Sequence, residues 1–244
     1  MMIKIAVGVG ENKNIIKAVE MFKKQKDDIE MELVESDDDL VKAILNDEIN
    51  SVVRGSLPAS SVMKQLKSKF KDISRATYVN GEYEFLLAPV GIDEGNNLDE
   101  KLKIAINCGN FLRTLGKKPK IAVLADGREG DYGRSDEISA SIDDSRKLTE
   151  LIKENTDFDV ENYFILIERA IKDNRNVIIA PDGIIGNIIF RTLILLNSWP
   201  SYGAVTFGVS GTYIDTSRDQ TVEGYLRSLN LAYDLANIYN RNNR

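Results

Sequence analysis

A mostly parallel α/β fold is what this sequence predicts, and three observations predict it. Through residues 1–72, short apolar runs alternate with amphipathic stretches of helical period. The pair Asn80-Gly81, a strong hairpin signal, then interrupts the alternation. Later, an apolar run at 177–180 stops at Pro181-Asp182-Gly183, and apolar residues resume at helical length over 188–196. Strand–helix alternation at this spacing implies right-handed βαβ units and a parallel sheet. The hairpin differs from the pattern on either side of it. The chain therefore divides into a discontinuous α/β domain, 1–72 plus 177–244, and an inserted α/β domain with a hairpin, 73–176.

Residues 3–9 are apolar enough for a central strand, closed by Gly8 and Gly10. Residues 14–24 form a helix with Ile15, Ile16, Val19 and Phe22 on one face. Strands at 31–34 and 49–53 flank a short helix at 40–45, which Asp37, Asp38 and Asp39 are placed to cap. Ser60 or Ser61 is expected to cap the next helix, which runs to Phe70. Strands at 76–79 and 83–88 surround Asn80-Gly81, and a polar loop follows at 91–97. The helix at 99–115 buries Leu102, Ala105, Ile106, Gly109, Leu112 and Leu115, and Gly116 ends it. A strand at 121–125 leads into a polar loop at 126–135. Helices are expected at 141–155 and within 158–169, the last strand at 204–209, and the last helix at 221–239.

Composition limits the chemistry. The 244 residues are 43% hydrophobic and 29% charged, as for a soluble globular chain, and no apolar run approaches the ~20 residues of a membrane span. The N-terminus reads as a strand rather than a signal peptide, so a cytoplasmic location is expected. Net charge is −6, which argues against a nucleic-acid partner. There is no histidine, which removes Ser-His-Asp and Cys-His catalysis and any His-ligated metal. A general base must be Asp, Glu, Lys or a group on the substrate. Cys108 is the only cysteine and reads as a buried structural thiol.

In an open α/β sheet, ligands bind outside the carboxyl ends of the strands. The loops expected there hold Arg54-Gly55-Ser56, Gly127-Arg128, Arg134-Ser135, Asp182-Gly183, Gly186-Asn187 and Asp215-Thr216-Ser217-Arg218. An acidic chain that places arginine, serine and glycine in these loops suits a phosphate, acyl phosphate or carboxylate. The strand–turn–helix at 177–192 offers backbone N–H groups and a helix N-terminus to such an anion. Two readings are open: the loops around 182–187 and 210–218 face one cleft, or both are ordinary βα connections. Gly8-Val9-Gly10 does not complete a dinucleotide fingerprint, and no P-loop is present.

The stretch from Ile179 to Asn187 resembles the strand–turn–helix of phosphate acetyl/butyryltransferases and of the PlsX-like acyl-phosphate synthases. The stretch from Tyr213 to Arg218, followed by Thr221-Val222-Glu223-Gly224, is similar to the D-x-S-R segment of those transferases. Residues 52–60 sit where that superfamily has its first glycine/serine loop, and 98–125 resemble its middle domain. Within it, the sequence most resembles the methanogenesis marker protein 4 (MtxX) group of methanogenic archaea, labelled as methyltransferase subunits. The resemblance implies a two-domain α/β/α fold of the isocitrate/isopropylmalate dehydrogenase-like, phosphotransacetylase-like type, with an inter-domain cleft and a homodimer. It implies that Ser217 and Arg218 hold the substrate and stabilise oxyanion charge. The aspartate that takes the thiol proton in the transferases falls on Gly224, with Glu223 beside it.

Three functions follow. The first is an acyl or phosphoryl transferase acting on CoA or an acyl phosphate. Its catalytic residues are Ser217, Arg218 and Asp182, with Asp215 as an alternative base. Arg54, Gly55, Ser56, Arg128, Arg134, Gly183, Gly186, Asn187 and Asp215 bind the substrate. The second is a methyltransferase or its subunit. The third is a binding protein that has lost the base. No cofactor is assigned and no metal is expected.

Overall fold

The computed structural model describes residues 2–242. The chain opens with β1 (Ile3–Gly8), α1 (Asn14–Gln25), β2 (Ile29–Val34), α2 (Asp37–Ile44), β3 (Ser51–Val53) and α3 (Ala59–Lys69). Ser36 caps α2, accepting from Asp39 N at 3.1 Å, and the three aspartates fill its first turn, where the helix dipole favours them. Ser60 and Ser61 do not cap α3. Pro58 stands at its N-cap without a side-chain cap, and both serines lie inside the helix. A proline before the helix already sets the extended entry that a capping serine would have had to hold.

The middle of the chain holds β4 (Ser74–Asn80), β5 (Glu84–Ala88), α4 (Leu98–Thr114), β6 (Lys120–Leu124), α5 (Asp136–Asn155), β7 (Asp159–Phe164), α6 (Ile167–Lys172), β8 (Val177–Ile179) and α7 (Gly183–Phe190). The last of these continues as a π-helical stretch, Arg191–Leu196. Asn97 and Ser135 cap α4 and α5. Gly116, at φ +72°, lets Lys117 N reach back to Leu112 O at 2.9 Å and close the end of α4. Then come β9 (Ser201–Phe207), β10 (Thr212–Asp215) and α8 (Val222–Asn242).

Two elements differ from expectation. Residues 158–169 begin with the strand β7 before the short helix α6. Its alternation is masked by Asp159, Glu161 and Asn162 at an edge position, where polar residues are tolerated. A further strand, β10, follows β9. It is four residues long and fully buried, and polar neighbours on both sides hide it.

The chain divides into two compact units, one running up to Ile73 and resuming at Ser201, the other spanning Ser74–Pro200. The second division falls at 200/201 rather than near 177. The stretch 177–200 packs with the middle segment because β8 lies between β5 and β6, Asn80 N donates to Pro200 O, and Trp199 stacks on Tyr83 at 5.8 Å.

In the first unit the strand order is β2-β1-β3-β10-β9, parallel except for β9. Ala6, Val52 and Tyr213 point to the face covered by α2 and α3. Ser51 points to the other face, donating from Oγ to Ala232 O of α8 at 2.8 Å. In the second unit the order is β4-β5-β8-β6-β7, with only the hairpin β4-β5 antiparallel. Right-handed crossovers put α4 and α5 on one face and α6 on the other. Among the described residues, no helix is long and apolar enough to cross a membrane.

Candidate functional site

In the first unit the chain leaves β1 toward β2 and leaves β3 in the opposite direction, so the switch point of the sheet lies between β1 and β3. Three loops meet at this carboxyl edge: 9–13 after β1, 54–58 after β3 and 216–221 after β10. The first two are zipped together by glycine. A Cβ on Gly55 would stand 1.9 Å from Gly8 O, and one on Gly10 would stand 2.3 Å from Ser56 O. Ser56 N donates to Gly8 O at 3.1 Å, and Gly10 N donates to Ser56 Oγ at 2.8 Å. Only hydrogen fits at positions 10 and 55, so Gly10 and Gly55 serve backbone contact, and the Ser56 hydroxyl is used as an acceptor within the junction.

Arg54 is buried beneath this junction. Its guanidinium donates to Asp215 Oδ1, Leu57 O and Thr216 O, all within its own unit. Thr216 Oγ1 donates to Gly55 O at 2.7 Å. Arg54 and Asp215 are thus an internal brace between the loops after β3 and β10. Ser217 and Arg218 lie outside the brace. The Arg218 side chain is 65% exposed and its nearest carboxylate, Asp219, is 3.9 Å away. Ser217 Oγ meets Asp219 N at 3.4 Å. Asn12 Nδ2 donates to Arg218 O and Gln220 O, both at 3.0 Å, and Tyr225 OH donates to Arg218 O at 2.8 Å. Gly224 is covered by Gln220: a Cβ there would stand 2.3 Å from Gln220 Oε1.

In the second unit the carboxyl edge carries loops 89–97, 125–135 and 180–183. The N-terminus of α7 already holds an anion, the Asp182 carboxylate, which accepts from Ile185 N at 2.8 Å. Gly183 N donates to Glu94 O at 3.0 Å. A Cβ on Gly183 would meet Gly91 O at 1.7 Å, and one on Gly186 would meet Pro89 O at 1.8 Å. Asn187 Nδ2 donates to Val90 O at 2.9 Å. Asp182, Gly183, Gly186 and Asn187 therefore dock loop 89–97 on α7 rather than offering a bare helix end. That loop also supplies one half of a pair the sequence reading missed: its buried Glu94 accepts from Arg75 Nε at 2.7 Å and from Arg75 N at 3.0 Å. Arg75 stands near the start of β4 and Glu94 beyond the end of β5, so most of the hairpin separates them, and no spacing rule points to the pair.

Arg134 is exposed and pairs with Asp131 at 2.8 Å; Arg128 is exposed at the mouth of a 310 Å³ groove that Tyr163 and Arg169 also line. Hydrogen bonding from the Arg128 backbone and from Arg134 holds the Asp131 carboxyl below its usual range. Among the described residues, no group of three or more Asp, Glu or Cys is placed to hold a metal. Cys108 is buried, and burial pushes its thiol pKa up.

No protein-family model matches the chain. A protein of Methanosarcina barkeri, provisionally named methyltransferase mtx subunit X, is 36% identical over 81% of this chain and 75% of its own length. An uncharacterized methyltransferase of Methanocaldococcus jannaschii is 38% identical over 94% of this chain and 96% of its own. The chain belongs to the MtxX family. Among solved structures, a branched-chain phosphotransacylase from Enterococcus faecalis aligns at TM-score 0.71, with 15% identity, over 96% of this chain and 99% of its own. A phosphotransacetylase from Streptococcus pyogenes gives 0.70, with 15% identity, over 98% and 94%. A β-decarboxylating dehydrogenase from Thermococcus kodakarensis gives 0.63, with 11% identity, over 97% and 84%. The fold of this MtxX-family chain is therefore the α/β/α type of the phosphotransacetylases and isocitrate-type dehydrogenases.

Proposed function

We propose that this protein binds an anionic substrate, an acyl phosphate or CoA-type compound, and acts as an acyl or phosphoryl transferase. The observation that carries the reading is the state of the two arginines at the carboxyl edge of the first unit. Arg54 spends its charge inside the protein on Asp215, while Arg218 presents its charge outward beside the Ser217 hydroxyl. In this reading Ser217 and Arg218 touch the substrate. Arg54, Asp215, Gly55 and Ser56 hold the loops that carry them. On the second unit, Arg128 and Arg134 are exposed cations at that unit's own carboxyl edge. Asp182 keeps its capping role, and Gly183, Gly186 and Asn187 keep loop 89–97 in place.

A second reading is methyl transfer, favoured by the names of the relatives. A third, binding without turnover, is favoured by Gly224 and the neutral carboxamide of Gln220 that covers it. A thermal-shift and calorimetric panel separates them, using phosphate, acetyl phosphate, CoA, acetyl-CoA, S-adenosylmethionine and a methylcorrinoid. A ligand at 100 times its Kd raises stability by about 2.7 kcal/mol. A shift with acetyl phosphate or CoA that Arg218→Ala abolishes is expected, and turnover of the two together then separates transferase from binding protein. A shift only with S-adenosylmethionine or the corrinoid overturns the proposal in favour of methyl transfer.

The chain is further proposed to be a homodimer. Ile184 and Ile188 of α7 are each 56% exposed and Leu196 is 76% exposed, a run of apolar side chains open to solvent. Light scattering on the intact chain and on Ile188→Asp tests this. A monomeric mass for the unmodified protein refutes it.

A further inference from the structure

The loop between β10 and α8 is fastened in an unusual way, through its carbonyls. Thr216 O accepts from the Arg54 guanidinium. Arg218 O accepts from Asn12 Nδ2 and Tyr225 OH. Gln220 O accepts from Asn12 Nδ2 and, at 3.3 Å, from Asn14 Nδ2. Every second carbonyl from 216 to 220 is thus drawn toward the body of the unit by a side chain from another segment. In a planar trans peptide the N–H points opposite to the C=O. Drawing in the carbonyls of 216, 218 and 220 therefore turns the N–H groups of Ser217, Asp219 and Thr221 the other way. The N–H of Asp219 is weakly covered by Ser217 Oγ at 3.4 Å, and those of Ser217 and Thr221 donate to no group among the described residues.

We infer that Asn12 and Tyr225 are positioning residues: by holding the carbonyls of Arg218 and Gln220 they turn the backbone N–H groups of Asp219 and Thr221 outward, beside the Ser217 hydroxyl, for a compact oxyanion. The inference rests on the anion-binding reading above and names the device that would deliver it. Neither side chain touches the anion. Asn12 comes from the loop after β1 and reaches two carbonyls with one amide, which fixes the spacing between them. Tyr225 reaches back from the first turns of α8, with its ring fully buried. A loop so held needs no reordering when the anion arrives, so ordering entropy is not lost on binding.

The experiment is calorimetric titration of inorganic phosphate and acetyl phosphate into the intact protein and into Asn12→Ala, Tyr225→Phe, the double variant and Arg218→Ala. Asn12→Ala and Tyr225→Phe leave the net charge unchanged. Amide hydrogen exchange over 216–221 is measured on the same samples. The inference expects at least a tenfold loss of anion affinity in the double variant and faster exchange confined to 216–221, with far-UV spectra unchanged. Asn12→Ser, which keeps one donor, should recover part of the affinity. Wild-type affinity in the double variant overturns the inference and leaves the anion-binding reading intact. A wild-type protein that binds neither phosphate nor acetyl phosphate overturns the reading, and the inference with it.

Discussion

Replacing Arg54 with alanine should be among the most damaging single changes in this protein, and the structure says by how much. The residue is 5% exposed, its partner Asp215 is 8% exposed, and its guanidinium also serves Leu57 O and Thr216 O. Removing one side of a buried ion pair costs about 3–5 kcal/mol, because the other charge stays behind without compensation. For a chain of this size, each kcal/mol lowers the melting temperature by about 2–4 °C. The expected fall is therefore roughly 6–20 °C, read by scanning calorimetry. Urea unfolding should show the lost free energy in the midpoint, with the slope unchanged if the first unit unfolds cooperatively. The companion variant, Arg54→Met with Asp215→Leu, removes both charges and should recover most of the loss, since a well-packed apolar pair often replaces a buried ion pair at little cost. A loss below about 1 kcal/mol in Arg54→Ala would place it with exposed ion pairs and refute the brace. A loss in the double variant equal to the sum of the losses in Arg54→Met and Asp215→Leu alone would show that the two residues act independently.

Three further outcomes are expected. Gly186→Ala puts a methyl group against the Pro89 carbonyl and should cost at least the ~1–3 kcal/mol of an overpacked core, measured by urea unfolding; a neutral effect would show that loop 89–97 yields freely. Cys108 should resist a thiol reagent in the native protein and react fully after denaturation, because burial holds its proton; rapid native labelling would contradict its buried position. Burial pushes the Tyr225 phenol up to about 12, above its ordinary 10, so the unfolded chain loses that proton first. Stability owed to this group is constant below pH 10 and declines as pH rises from 10 through 12. Tyr225→Phe should flatten that decline in unfolding experiments, and an unchanged slope would rule the contribution out.

How much of this was legible in the sequence depends on where each residue's partner lies. Elements with local signals were readable: the apolar face of α1, the Asn80-Gly81 turn and the stop at Gly116 each depend on neighbours a few residues away. The strands β7 and β10 were not, because one is polar at a sheet edge and the other is short and flanked by polar residues. Ser217 and Arg218 could be singled out by residue type, but not the opposite fates of Arg54 and Arg218. Both are arginines after a strand, and only three-dimensional placement gives one an aspartate beneath the loop and the other to solvent. The glycines at 183 and 186 looked like an anion cradle. Their real constraint is the approach of carbonyls from residues 89 and 91, which no local pattern reveals. Asn12 was passed over because its partners, at 218 and 220, lie at the other end of the chain.

The division of the chain has a consequence for its birth on the ribosome. The segment Ser74–Pro200 is continuous and has all its strands as soon as it has emerged. The segment before it is not so fortunate. The side of β3 away from β1 waits for β10, and the inner face of α1 waits for α8, both of which are made after the middle segment. At ~5–20 residues per second, that wait exceeds ten seconds at the slow end of the range. During it, the nascent protein carries an open strand edge and an uncovered apolar face while its middle is already folded. Truncation near the C-terminus should accordingly be punished by aggregation of the first segment and spare the second, so that a fragment beginning at Ser74 and ending at Pro200 is the piece to recover in soluble form.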